Sequence, residues 1–272
     1  MCTTGVLRLE DGSHLLFKNK DFGRSHLDDR ICIDGDVFGV LGMTTWAGDD
    51  PDKDEFSGFS IGANRHGLLC CDSNVVTLDG LVNYDVMVEV ALREGVDVTS
   101  AAEAVRRACA ADATSWGNLV MIDSSGAASV EIRGTTVEVV PLTGPTARTN
   151  HHIVLGNHEL QEDKTTTDKR FTSAQRRVST AKTLEDVFTL QSAHDDGPTG
   201  VCNHDLHTTV YSYVLHCIGS EVDLYVLQGQ PCSGATRVKV QIPLGGGYSE
   251  SAVREFLSGY PTANKENFAA SV

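Results

Sequence analysis

The order in which strand and helix signals alternate limits what this chain can fold into more than any other feature of its sequence. Apolar alternation marks two short strands, 4–10 and 14–18, joined at Asp11-Gly12-Ser13 as a hairpin. A second strand pair, 59–63 and 68–72, flanks the turn Asn64-Arg65-His66-Gly67. Helical spacing follows over 84–94 and 100–111, with Thr99 or Ser100 and Glu103 placed as a capping box. Strand signals return over 119–123, 128–132 and 136–140, and helical ones over 173–180 and 184–192, the second capped by Thr183. Strands over 210–217, 222–227 and 237–241 precede a last short helix over 250–257. Strands and helices each come in groups, so parallel βαβ units are not the building block. The expectation is a layered α+β fold in one domain.

Charge removes whole classes of partner. Lys plus Arg number 22 against 37 Asp plus Glu, a formal net charge of −15, which repels both a phosphate backbone and an anionic membrane surface. No apolar run reaches the roughly 20 residues of a membrane span, and the N-terminus lacks the basic and apolar parts of a secretory signal. Eight cysteines without a CxxC pair fit a reducing compartment, so the expected location is cytoplasmic. The charged stretch 49–55 reads as a solvated loop, and the glycines 245–247 as a turn, since no lysine and hydroxyl follow them as in a phosphate loop.

Cys2 stands apart by position. Methionine aminopeptidases remove Met1 when the next residue is small, which would leave Cys2 with a free α-amine. One residue then carries a strong nucleophile and a base with an ordinary pKa of about 7.7–8.0. Alone, a cysteine there reads more readily as an accident of a reducing cytoplasm. Asp21 strengthens the chemical reading: it follows the second strand of a hairpin whose first strand begins near Cys2, so one end of the hairpin gathers both. A carboxylate there orients the amine or the thiol as the third member of a triad does. The plainer roles are a turn residue for Asp21 and a solvated charge for Lys18.

Cys2-Thr3-Thr4 followed by Lys18-Asn19-Lys20-Asp21-Phe22 resembles the opening of the N-terminal-cysteine Ntn hydrolases. Gly62-Ala63-Asn64-Arg65-His66-Gly67-Leu68 is similar to that family's Gly-x-Asn-x-x-Gly hairpin, with Asn74 where relatives place an oxyanion-hole asparagine. Thr149-Asn150-His151, then Cys202-Asn203-His204 with Thr209 and Ser212, resemble the branch containing acyl-CoA:6-aminopenicillanic acid acyltransferase. The resemblance implies an αββα sandwich, a single Ntn-hydrolase domain over 2–272 once Met1 is removed, and catalytic roles for Cys2, Asp21, Asn74 and Asn150. It places Lys18, Asn203 and His151 at the substrate. Lys18 and Asn203 stand where relatives carry arginine, so each loses a two-pronged donor.

The histidines invite a metal reading: His151, His152 and His158 with Glu159, then His204-Asp205-Leu206-His207, then His216. Without a helix around the HxxH or paired cysteines, no metal site is assigned, and no cofactor motif is read. The expected activity is an amidohydrolase that cleaves a small-molecule N-acyl amide or peptide-like substrate through a Cys2 thioester. One alternative is an acyltransferase or cyclising enzyme that passes the acyl group to an amine or thiol. The other is a non-catalytic binding module on the same fold. No nucleic-acid or membrane partner is expected, and the sequence leaves room for a homo-oligomer.

Overall fold

A computed structural model describes residues 1–23, 27–45, 54–75, 82–156, 164–195, 197–205 and 207–261. Most of the charged stretch 49–55 lies outside these residues, as do His158, Glu159 and Leu206.

The first hairpin forms, with β1 starting and ending two residues earlier than its apolar pattern and β2 running longer: β1 is Cys2–Arg8 and β2 is His14–Phe22, with Cys2 opposite Lys20 and Thr4 opposite Lys18. Lys18, Asn19, Lys20 and Asp21 are all buried strand residues, where polarity had suggested that the strand was ending. Three further strands carry too little alternation to be read in advance: β3 Ile31–Ile33, β4 Val37–Thr45 and β10 Thr146–Arg148. The other strands are β5 Glu55–Asn64, β6 Leu69–Asn74, β7 Thr114–Ile122, β8 Ala127–Gly134, β9 Thr136–Pro141, β11 Thr208–Ile218, β12 Glu221–Gln228 and β13 Val238–Gln241. They make two antiparallel sheets, β10-β1-β2-β11-β12-β13 and β3-β4-β5-β6-β7-β8-β9.

Helices α1 Tyr84–Glu94 and α2 Val98–Ala111 cover the seven-stranded sheet through a cluster that includes Met87, Val88, Val105 and Leu119. The α2 cap is Asp97 and not Thr99 or Ser100: Asp97 accepts from Ser100 N–H, and the Ser100 hydroxyl receives the Asp97 N–H in return. Helices α3 Lys164–Val178 and α4 Leu184–Gln191 cover the six-stranded sheet through Leu15, Phe17, Val187 and Val214. Thr183 caps α4 as expected, while α3 starts nine residues before its apolar pattern at 173–180. Between the sheets lies the largest core, with Val6, Leu16, Phe38, Ile61 and Leu215, joined by Phe256 of α5 Glu250–Gly259. The layers are helix, sheet, sheet, helix. Among the described residues, no helix is long and apolar enough to cross a membrane.

Two local features tie the layers together. In the turn between β5 and β6, Gly67 takes a φ of +80°, which its lack of a Cβ permits. Asn64 there donates to Leu92 O and Gly95 O and accepts from His66 N–H and Leu68 N–H, so the Gly-x-Asn-x-x-Gly segment pins the end of α1. The second feature spans the sheets. Lys18 Nζ on β2 crosses to Ser60 Oγ and Asp72 Oδ1, both at 2.7 Å, and to Ser60 O and Asp72 O, both at 3.0 Å.

Candidate active site

Alternation along β1 and β2 decides which side chains can meet. Val6 and Leu16 point into the inter-sheet core, so Cys2, Thr4, Lys18 and Lys20 share that face, while Thr3, Asn19 and Asp21 face the α3–α4 layer. The Cys2 thiol and the Asp21 carboxylate therefore lie on opposite faces of one hairpin. The expectation allowed Asp21 to hold either the amine or the thiol, and the register places its side chain on the face away from the sulfur.

The start of β1 is held from several directions. Cys2 N–H donates to Asn150 Oδ1 at 2.9 Å, and Arg170 Nη1 donates to Cys2 O at 2.7 Å. The Met1 ammonium donates to Asp21 O at 2.8 Å, and Asp21 N–H returns a bond to Met1 O. Arg170 Nη2 also reaches Asn150 Oδ1 at 2.9 Å. Two donors converge on Asn150 Oδ1, which fixes that amide's orientation, and its Nδ2 donates to Asn74 O at 2.9 Å and Asn74 Oδ1 at 2.7 Å. Both Asn150 donors are thus committed. Asn74 Nδ2 makes no hydrogen bond among the described residues and is the amide donor left over beside Cys2 and Asn150.

Asp21 is buried, its Oδ1 accepting from the Thr209 hydroxyl at 2.7 Å and its Oδ2 without a hydrogen-bond partner among the described residues. Burial pushes its pKa up, opposed by Arg170, the chain-terminal ammonium, Thr209 and the Asn203 side chain, with a net rise. Lys18 keeps its proton: burial disfavours the ammonium, but Asp72, with smaller contributions from the Cys2 and Cys71 side chains, outweighs that and raises the pKa. Asp85 hydrogen-bonds Asp72, and burial followed by the Asp72 charge raises its carboxyl well above the aspartate range. Asp85 thus holds its proton more readily than an ordinary aspartate, beside the Lys18–Asp72 ion pair.

Of the residues expected at the substrate, none offers a free polar atom in this structure. Lys18 spends its three ammonium hydrogens on Ser60 and Asp72. Asn203 is 1% exposed, its N–H on the Thr209 hydroxyl and its side chain beside Asp21. His151 is 5% exposed, with Nδ1 near the Thr149 and Thr167 hydroxyls and its ring edge-on to Phe171. In this structure each of the three side chains is engaged by other protein groups. Arg170 was missed. It lies on the buried stripe of α3 with Thr167, Ala174 and Val178, and a cation at a stripe position is the signal that marks it.

The sequence pattern of the acyl-coenzyme A:6-aminopenicillanic acid acyl-transferase family matches residues 8–230. The chain belongs to this acyl-transferase family. No curated protein matches it in sequence. Its fold is that of the Ntn hydrolases: a mutant of conjugated bile acid hydrolase from Clostridium perfringens overlays with a TM-score of 0.55 at 15% identity, covering 89% of this chain and 92% of that one. A second variant of that hydrolase gives 0.56 at 15% identity, covering 88% and 92%. Penicillin V acylase from Agrobacterium tumefaciens overlays at 0.48 and 12% identity, over 88% of this chain and 85% of that one. In this member of the acyl-transferase family, residues 2, 21, 74, 150 and 170 meet at the first residues of β1, although they are spread over more than half of the chain.

Proposed function

We propose that the chain, once Met1 is removed, is an N-terminal cysteine amidase. The observation that supports this is what gathers at the start of β1: Cys2 N–H donates to Asn150 Oδ1, Asn150 Nδ2 donates to Asn74, and Asp21 O receives the ammonium of Met1, one residue before Cys2. With Met1 present Cys2 N is a peptide nitrogen and no base. Freed, it becomes an amine, and the buried Asp21 carboxylate, whose Oδ2 has no hydrogen-bond partner among the described residues, is the acceptor we assign to its extra hydrogens.

The reaction then runs in two halves. The amine takes the thiol proton, sulfur attacks the amide carbonyl, and the carbonyl oxygen gathers negative charge. Asn74 Nδ2 donates to that oxygen, Asn150 holds Asn74 and the amine in register, and the Lys18 ammonium sits on the same face as the sulfur. The C–N bond breaks, the leaving amine takes the proton, and a Cys2 thioester remains. Water, giving a proton to the Cys2 amine, attacks the thioester and releases the acid with the thiol restored. Family membership favours a second reading for the last step, in which an amine acceptor replaces water. Incubation with an N-acyl amide and a competing amine, followed by mass analysis of products, separates the two: free acid alone supports hydrolysis, and a new amide supports transfer.

Arg170 is a positioning residue in this scheme, touching Cys2 O and Asn150 Oδ1 but no reacting atom. Arg170→Lys loses the two-pronged geometry, and a displacement near 1 Å at the nucleophile costs on the order of a hundredfold in rate. The expected result is a kcat lowered by about that factor with KM nearly constant, whereas a residue that only held the fold would lower the fraction of active enzyme and leave kcat per active site unchanged.

The raised Asp21 pKa sets a pH dependence. An acid whose pKa is raised stays protonated to higher pH, so the acid limb of kcat/KM should lie above the ordinary aspartate value of about 3.9. Asp21→Asn should lower kcat and remove that limb. A limb that persists unchanged in the variant assigns it to another group.

A further inference from the structure

On the helix-covered side of the six-stranded sheet, four side chains outside the site described above bring together two sulfurs and two imidazole nitrogens. His194 follows α4, Cys202 and His204 flank Asn203, and Cys232 lies in the 3₁₀ turn Pro231–Ser233. One donor atom from each lies within 4.8 Å of all the others. The two Nε2 atoms are 3.0 Å apart, and His204 Nε2 is 3.4 Å from Cys202 Sγ and 3.1 Å from Cys232 Sγ.

Hydrogen bonding does not account for this cluster. A ring nitrogen either donates one hydrogen or accepts one, yet three donor-type atoms close in on His204 Nε2. A cation does account for it. A tetrahedral ion with nitrogen at about 2.0–2.1 Å and sulfur at about 2.3 Å sets its ligand atoms about 3.3–3.8 Å apart, so the three short spacings open by tenths of an ångström and the widest, within 4.8 Å, closes by at most about 1 Å.

The backbone holds the ligands in place without using them. Cys202 N–H donates to Ala193 O at 3.0 Å, His204 N–H to Pro198 O at 2.7 Å, and Ser192 Oγ to Pro231 O at 3.1 Å. The Cys232 N–H faces the Cys202 sulfur, the kind of outer contact that orients a metal-bound thiolate. Both histidines are exposed while Cys202 is buried, so an ion enters from solvent and is gripped from below.

We infer that His194, Cys202, His204 and Cys232 bind one divalent cation of borderline softness, for which zinc fits two thiolates and two imidazoles. Binding releases the two thiol protons to solvent. Four protein ligands close the coordination sphere, so the ion is structural and performs no step on substrate. Its effect is on Asn203, the residue between two of its ligands, whose side chain touches Asp21 and whose N–H and C=O pair with Thr209. The ion clamps the segment beneath the Asp21 carboxylate. His207, the far end of the HxxH spacing, is not a ligand, and the missing partners lie ten residues before and 28 residues after His204.

The test uses the full chain, purified under reducing conditions, stripped with a chelator and titrated with cobalt(II) alone and then zinc(II) alone. The expected result is one cobalt per chain, with a thiolate charge-transfer band and the intense visible bands of a tetrahedral centre, displaced by one zinc. Cys2→Ala should bind as the wild type does. His194→Ala and Cys232→Ser, at half-buried or exposed positions, should lose more than about tenfold in affinity while keeping the wild-type circular dichroism. An octahedral cobalt spectrum, no stoichiometric binding, or binding lost in Cys2→Ala alone overturns the inference. So does a Cys202–Cys232 disulfide in the reduced preparation, read by peptide mass.

Discussion

Cys2→Ala should abolish turnover of any N-acyl amide that the wild type cleaves, by at least about a thousandfold, while leaving the fold in place. The side chain is small and buried at the start of a strand, so its loss removes one sulfur atom and little packing. Cys2→Ser should fall nearly as far, because a hydroxyl beside the same amine is a weaker nucleophile. N-terminal sequencing of active protein should begin at Cys2, and iodoacetamide should label that residue first. Cys70 and Cys71 serve as internal controls: both are fully buried and burial pushes both thiols up, so neither competes. Turnover that survives in Cys2→Ala, or active enzyme that still begins with Met1, removes the basis of the proposed mechanism.

The second large effect is on stability. Asp72→Asn should cost about 3–5 kcal/mol, because it strands the Lys18 ammonium between two sheets without a counter-charge. For a chain of this size that is a fall in Tm of roughly 6–20 °C. Lys18→Met should cost a similar amount, and the double substitution with Asp72→Leu should recover part of it, since an apolar pair replaces an ionic one. Asp85→Asn, one residue away in the same cluster, should do the opposite of Asp72→Asn. Its raised pKa means that the folded protein keeps a proton that the unfolded chain gives up, so this group's contribution is full below about 3.8 and declines as pH rises towards its folded pKa. An amide imitates the protonated acid and removes that decline, so Asp85→Asn should be neutral or stabilising near pH 7, with a gain that grows with pH. Thermal unfolding of the four variants between pH 5 and 9 checks the set, and an Asp85→Asn as damaged as Asp72→Asn would refute the assignment of charges.

The layer order was legible because grouping is a long-range property that survives local error. Strand ends were not legible, and β2 shows why. Lys18-Asn19-Lys20-Asp21 has the composition of a loop, yet each side chain finds a buried partner in a layer that is distant in sequence: Asp72 for Lys18, Gln191 O and Val201 O for Asn19, Asp29 for Lys20, Thr209 for Asp21. β4 was hidden for a different reason. Its Gly42 interrupts the apolar pattern, and a Cβ there would collide with the Asp85 carboxyl that packs over the strand. Cys2, Asp21, Asn74 and Asn150 came from motif order and do meet. Lys18, Asn203 and His151 came from the same source, but their polar atoms turned out to be spent on other protein groups. Arg170 and the pairing of His194 with Cys232 belong to no motif, and only the folded arrangement brings them forward.

The hold on the first residue of β1 has a consequence in time. β1 is not at an edge: β2 lies on one side and β10 on the other, and Arg170 of α3 closes over the Cys2 carbonyl. At synthesis rates of about 5–20 residues per second, residue 170 appears roughly 9–34 s after the start, and until then Arg170 cannot close over the Cys2 carbonyl. An aminopeptidase reaches Met1 most readily in that interval, because in the finished fold the Met1 ammonium is already bonded to Asp21 O and its sulfur lies against Arg170. On the proposed mechanism, exposure of the Cys2 amine is then a race between trimming and folding, and conditions that speed synthesis or starve the peptidase should yield a folded, permanently capped fraction.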